Sequence, residues 1–187
     1  MANARGASDT TAAVMLGEVP LARAWNVRGD PRNEAFVSEA SRVLALRLPV
    51  DAMTSTRDER ETLLWLGPRS WLYVAGDASK HDGFDSARRA INAAGGALFD
   101  VSAGYVAWRI DGAAAARVLN RACPLDLHPR AFPPGHCAQS VLGHINALFY
   151  RPQEAPSFVV LVARSFAADA WHTLCEAARS DGYRKPK

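Results

Sequence analysis

The sequence predicts an α+β fold made of two tandem ferredoxin-like (split βαβ) halves. Three observations predict it: four stretches with apolar residues at helical spacing, eight short β-rich runs, and a recurrence of both in the same order in each half. The chain of 187 residues is 49% hydrophobic and 22% charged, enough to bury a core without disulfides or a structural metal. Wholesale disorder is thereby excluded.

Residues 1–19 read as a flexible N-terminal tail, or an arm that orders on a partner. The apolar run at residues 12–16 is too short for a secretory segment and lacks its flanks. Residues 20–187 then make one compact domain of two pseudo-repeats, about 20–103 and 104–180.

In the first half a strand at residues 25–28 meets the turn residues Gly29, Asp30 and Pro31. Phe36, Ala40, Val43 and Leu44 follow as the stripe of a helix. Strands at residues 62–66 and 71–75 flank Gly67-Pro68-Arg69-Ser70, which reads as a hairpin turn. Phe84, Ala87, Ile91 and Ala94 mark a second helix, closed by Gly95-Gly96, and a strand follows at residues 97–101.

The second half opens with a strand at residues 105–110. Its Val106, Trp108 and Ile110 are expected to face a core and Tyr105, Ala107 and Arg109 to face outward, because successive strand side chains alternate. Ala115, Val118, Leu119 and Ala122 form a short helical stripe ended by Pro124. Strands follow at residues 138–143, 147–151 and 158–163, and Val159-Val160-Leu161-Val162 is apolar on both faces, the mark of a strand covered twice. Ala167, Ala170, Trp171, Leu174 and Ala178 make the last helix, with Ser165 placed as its N-cap.

The repeat is visible in the residues themselves. Ala24-Trp25-Asn26-Val27-Arg28-Gly29 matches Ala107-Trp108-Arg109-Ile110-Asp111-Gly112, and Arg42-Val43-Leu44 matches Arg117-Val118-Leu119. Pro49 and Pro124 each lie seven residues beyond the arginine, and a hairpin and a helix then follow in both halves. The order βαββα occurs twice, with an extra strand after the first copy.

Several kinds of chemistry are excluded. The formal charge of +3 comes from scattered arginines; the clusters Arg88-Arg89 and Arg184-Lys185-Pro186-Lys187 read as a solvated helix face and a terminus, so no nucleic-acid partner is expected. No apolar stretch approaches the length of a membrane span. The sequence has neither a Walker-type loop nor a G-x-G-x-x-G turn, and Gly95-Gly96 precedes a strand and not a helix.

Residues 123–137 concentrate two cysteines, two histidines and four prolines. Cys123, His128, His136 and Cys137 suggest a metal module, but their spacing lacks the short ligand pairs that zinc favours. The preferred reading is a proline-stiffened loop that displays Leu125, Leu127, His128, Arg130 and Phe132 to a protein partner, since stiffness lowers the entropy lost on docking.

No nucleophile stands out. Cys175 falls on the last helix's apolar stripe beside Trp171 and Leu174, as a buried thiol. His144 reads as a turn residue, and His81 and His172 as solvent-facing. Asp58, Glu59 and Glu61 crowd one charged loop, while Asp100, Asp111 and Asp126 sit at element ends as caps or turn ligands. Trp25, Trp65, Trp71, Trp108 and Trp171 are expected to pack the core. Three cysteines at irregular spacing fit a reducing compartment. No catalytic, cofactor-binding or metal-ligating residue is assigned.

The chain resembles the gamma-subunit family of heterotetrameric sarcosine oxidases from about Leu21 to Ala178. The resemblance rests on Leu66-Gly67-Pro68 with Trp71-Leu72, on Asp100-Val101-Ser102 with Gly104, and on Cys123-Pro124-Leu125-Asp126-Leu127-His128-Pro129. Phe132-Pro133-Pro134-Gly135 with Cys137-Ala138-Gln139, and Arg164-Ser165-Phe166-Ala167 with Trp171, complete it.

The resemblance implies a folate-binding aminomethyltransferase-like fold and a cytoplasmic complex with alpha, beta and delta subunits. That complex oxidatively demethylates sarcosine to glycine, forms hydrogen peroxide and passes a one-carbon unit to tetrahydrofolate. FAD, FMN and NAD are implied in the partner subunits alpha and beta, and zinc in delta, leaving this chain a non-catalytic subunit. The competing expectation is an independent folate-dependent one-carbon transferase or folate-binding protein. This chain departs from the family pattern at Ala103, where Asp is expected in a Ser-Asp-Gly turn, and at His136, where Arg is common.

Overall fold

The structure is a computed structural model describing residues 13–76, 83–152 and 156–184. His81, residues 185–187 of the basic terminus and residues 1–12 of the expected tail lie outside the described residues.

The first half runs β2 (Arg23–Arg28), α1 (Glu34–Leu44), β3 (Ser55–Arg57), β4 (Glu61–Gly67), β5 (Ser70–Ala75), α2 (Phe84–Ala93) and β6 (Ala97–Asp100), after β1 (Val14–Val19). Local chemistry starts and stops its helices. The Asn33 carboxamide accepts from the N–H groups of Ala35 and Phe36 at 3.1 and 3.3 Å, satisfying donors that the first turn leaves open. The same side chain donates to Ala94 O at 3.0 Å, so one residue ties the start of α1 to the end of α2. Phe36, Ala40 and Leu44 are the buried face of α1, as their spacing requires. Pro68 and Arg69 form the turn between β4 and β5, closing the hairpin with Gly67 opposite Ser70.

The second half runs β7 (Tyr105–Asp111), α3 (Ala115–Leu119), β8 (Cys137–Leu142), β9 (Ile145–Tyr150), β10 (Ser157–Ala163), α4 (Ala167–Ala178) and β11 (Tyr183–Arg184). One sheet has the order β3-β4-β5-β2-β6 and the other β11-β1-β7-β10-β9-β8. Strands β4-β5-β2-β6 have the split-βαβ arrangement, and β9-β10-β7-β1 repeat it in space.

That repetition corrects the reading of residues 14–19 as tail. They form β1, antiparallel to β7 from Met15 opposite Asp111 to Val19 opposite Ala107, with Val14 and Leu16 buried. In the first half the fourth strand, β6, comes after the second helix; in the second half that slot is filled from the N-terminal side of the chain. The two-residue β11 is left to pair outside β1.

Each sheet is covered by its own pair of helices on one face and by the other sheet on the opposite face, giving four layers, α/β/β/α. Trp25, Val27, Trp71 and Tyr73 meet α1 and α2, while Ala24, Leu64, Leu72 and Val74 meet the second sheet. Val106, Ile110, Val160 and Val162 pack under α3 and α4, and Val159 and Leu161 pack between the sheets. Ala107 is therefore buried and not outward-facing, because the second sheet covers the face that an isolated strand would expose to water. Trp108 is half-buried and packs on Trp171 with ring centroids 4.8 Å apart. Ser165 is not an N-cap: Arg164–Phe166 wind as a 3₁₀ turn directly into α4, and no side chain caps that helix.

Candidate protein interface

The connection from α3 to β8 is a loop held by its own polar groups and by the opposite half of the molecule. Asp126 accepts from the His128 N–H at 2.9 Å, and His128 O accepts from the N–H groups of Ala131 and Phe132 at 2.9 and 2.8 Å. Farther on, Gly135 O accepts from both the N–H and the hydroxyl of Ser55 at 2.8 Å, and the Cys137 N–H donates to Met53 O at 2.9 Å. The loop is thus stitched to β3 across the boundary between the halves.

This anchoring divides the expected docking residues. Leu127 and Phe132 are buried, at 0% and 1% exposure, in the core beneath α3, with Phe132 against Phe158. They are core anchors and not displayed side chains, because the loop's turns fold its apolar residues inward. Leu125 is half-buried, whereas His128 and Arg130 are exposed.

The four metal candidates are dispersed. Cys123 lies in the core under α3 and Cys137 between the sheets, where its thiol donates to Thr54 O at 3.2 Å and approaches Trp65 O at 3.4 Å. His128 faces solvent, and His136 is half-buried with its ring edge on Phe132. Among the described residues, no three His, Cys, Asp or Glu side chains gather where they could hold a metal ion. Burial pushes the Cys123 thiol up and the Cys137 thiol up to about 11, which suppresses the thiolate.

The remaining candidates are spread over the fold. Cys175 is half-buried and not fully enclosed, since its position on α4 lies at the margin of the apolar stripe. His144 occupies the turn between β8 and β9, and His172 is exposed on α4. Asp100 accepts from the N–H and hydroxyl of Ser102 at 2.9 and 2.5 Å, and Asp111 pairs with Arg109 at 2.9 Å. Asp58 turns the approach to β4 by accepting from the N–H groups of Arg60 and Glu61 at 2.8 Å.

One residue escaped the sequence analysis. Arg151 follows β9 and is only 5% exposed, with Nη1 donating to Phe132 O at 2.9 Å. Its neighbours Tyr150 and Pro152 suggest a strand end meeting solvent, and no local pattern marks a buried guanidinium there.

Two ferredoxin-like halves in four layers, with a stapled loop on one flank, place the chain in the aminomethyltransferase-like fold class. Glycine cleavage system aminomethyltransferase T from Bartonella henselae has a similar fold, with a TM-score of 0.65 at 14% identity over 94% of this chain and 48% of that one. The chain belongs to the sarcosine oxidase gamma subunit family, whose family model matches residues 28–180. It is 32% identical to sarcosine oxidase subunit gamma of Corynebacterium sp. strain P-1 over 181 residues, covering 95% of this chain and 86% of the relative. The Arthrobacter sp. subunit gamma is likewise 32% identical, over 178 residues and with the same coverage. Among solved structures, heterotetrameric sarcosine oxidase from Corynebacterium sp. U-96, in complex with pyrrole 2-carboxylate, contains a chain matching with a TM-score of 0.83 and 27% identity. That match covers 94% of this chain and 89% of the other.

Proposed function

We propose that this chain is the non-catalytic gamma subunit of a heterotetrameric sarcosine oxidase. In this reading it assembles with alpha, beta and delta subunits that together demethylate sarcosine oxidatively to glycine, form hydrogen peroxide and deliver a one-carbon unit to tetrahydrofolate. The observation that carries it is the match over nearly the whole chain to a component of a heterotetrameric sarcosine oxidase. FAD, FMN and NAD are assigned to the partner subunits.

The stiff loop supplies a docking element in this proposal. His128, Arg130 and the exposed part of Leu125 contact the partner, while Leu127 and Phe132 hold the loop's shape beforehand. A surface fixed before the encounter loses little entropy on binding. The cytoplasm is the proposed compartment, supported by free Cys123, Cys137 and Cys175. Among the described residues, no helix is long and apolar enough to cross a membrane.

Co-expression with the three partner subunits tests the proposal. One stable assembly is expected that oxidises sarcosine, with this chain alone colourless and inactive. A fully active, intact complex lacking this chain overturns the proposal, and so does turnover by the chain alone with a reduced folate.

A further inference from the structure

A cavity of about 400 Å³ lies on the α3 flank of the second sheet, between that helix, the stapled loop and the start of β10. This volume falls within the range of small-molecule sites. Its walls are largely apolar, including Ala116, Leu127 and Phe158, and Arg151 is among the residues that line it.

The environment of Arg151 is unusual for a buried cation. Nη1 donates to Phe132 O, Nε has no hydrogen-bond partner, and the guanidinium carbon lies 5.6 Å from the centroid of the Phe158 ring. Among the described residues, no carboxylate lies within ion-pairing distance of Arg151. The other arginine at the cavity, Arg117, is already engaged by Asp181. Among the described residues the buried Arg151 charge has neither a counter-ion nor a full set of hydrogen bonds, an unfavourable arrangement that an anion in the cavity would relieve.

The rest of the lining restricts which anion fits. The planar fork of an arginine matches the two oxygens of a carboxylate. Asp126, also in the lining, repels a doubly charged phosphate more strongly than a singly charged carboxylate, and the apolar walls accept a hydrocarbon body. We propose that this cavity binds a small free monocarboxylate with an apolar body, its carboxylate held by Arg151 and its body packed against Phe158.

Calorimetric titration of the full chain with benzoate tests this, with benzamide as the uncharged isostere and inorganic phosphate as a second anion. Saturable benzoate binding is expected, with at least tenfold weaker binding of benzamide and of phosphate. Arg151→Met should lower benzoate affinity at least tenfold. Ala116→Phe, which fills the cavity from α3 and leaves Arg151 in place, should do the same, and thermal unfolding of both variants checks that they fold. Absence of benzoate binding overturns the proposal, as does equal affinity for benzamide or unchanged affinity in both folded variants. A benzoate-inert chain whose assembly with partner subunits is weakened by Arg151→Met also overturns it, by assigning Arg151 to a partner's carboxylate.

Discussion

The ring of Phe36 occupies the space beside Gly96 that a side chain would need: a Cβ on Gly96 would lie 2.5 Å from Phe36 Cδ2 and Cε2. Gly29 meets the same ring, at 2.4 Å from Cζ, so the turns after β2 and α2 both close on one phenylalanine. Gly96→Ala should therefore overpack this corner and cost about 1–3 kcal/mol. Urea unfolding reads it as a lower midpoint, and combining it with Phe36→Leu should cost less than the sum of the two single changes. An unchanged midpoint for Gly96→Ala would refute the packing argument.

Strand β1 provides its own control. Leu16 is fully buried and Met15 is 51% exposed on the opposite face of the same strand. Leu16→Ala should destabilise by about 2–5 kcal/mol, whereas Met15→Ala should stay within about 0.5 kcal/mol. Equal effects in chemical denaturation would return residues 14–19 to the status of a dispensable tail.

The loop separates stability from recognition. Phe132→Ala should cost about 3–5 kcal/mol through the cavity it leaves beneath α3. His128→Ala and Arg130→Ala should leave the thermal midpoint unchanged, since both side chains are exposed, yet weaken assembly with the partner subunits in quantitative pull-down. Retained assembly in the double variant would move the docking surface elsewhere.

Alkaline pH should unfold the protein through its inter-sheet layer. The Cys137 thiol is pushed up to about 11 by burial, so the folded state holds the proton more tightly than the unfolded chain does. Its contribution, up to roughly 3 kcal/mol, is complete below the unfolded thiol value near pH 9 and is lost as pH rises through about 11. On the other face of the first sheet, beneath α1 and α2, burial and the Glu61 carboxylate push the Tyr73 hydroxyl up as well, in the same direction. Urea midpoints measured from pH 8 to 11 should fall, less steeply in Cys137→Ala; identical slopes would exclude the thiol as a source.

The acid limb has a different origin. Arg121 and Arg117 bind the Asp181 carboxylate and hold it below the usual carboxylate range, linking the α3 region to the chain after α4. A depressed pKa stabilises the fold above the unfolded carboxylate value, and the contribution disappears as pH falls through the folded one. Asp181→Asn should lower the thermal midpoint at pH 7, and the gap to the unaltered protein should narrow on acidification. A gap that persists below pH 2 would show that the charge is not responsible.

The helical stripes and the β4–β5 hairpin were legible because their information is local. Phe36, Ala40 and Leu44 recur at one turn's spacing, and Gly67 to Ser70 carry their turn in their own residues. Alternation makes Ala107 look outward-facing because it distinguishes the two faces of a strand without revealing that helices cover one and a second sheet the other. Leu127 and Phe132 were recognised as loop residues, but their inward direction depends on the His128 and Gly135 hydrogen bonds and on the position of Phe158. Arg151 left no mark at all, since its burial depends on how Phe158 and the loop carbonyl of Phe132 fold back onto the end of β9.

The amino-acid order by itself determined the two-fold repeat, the helix faces and the family, because periodic apolar residues and short motifs are read along the chain. Tertiary structure alone decided that Val14 and Leu16 complete the second sheet, that the two sheets seal each other's inner faces, and that a guanidinium is enclosed beside an apolar cavity. Each of these depends on which segments remote in sequence meet in space, where the loss of water contact selects the pairing that buries the most apolar surface.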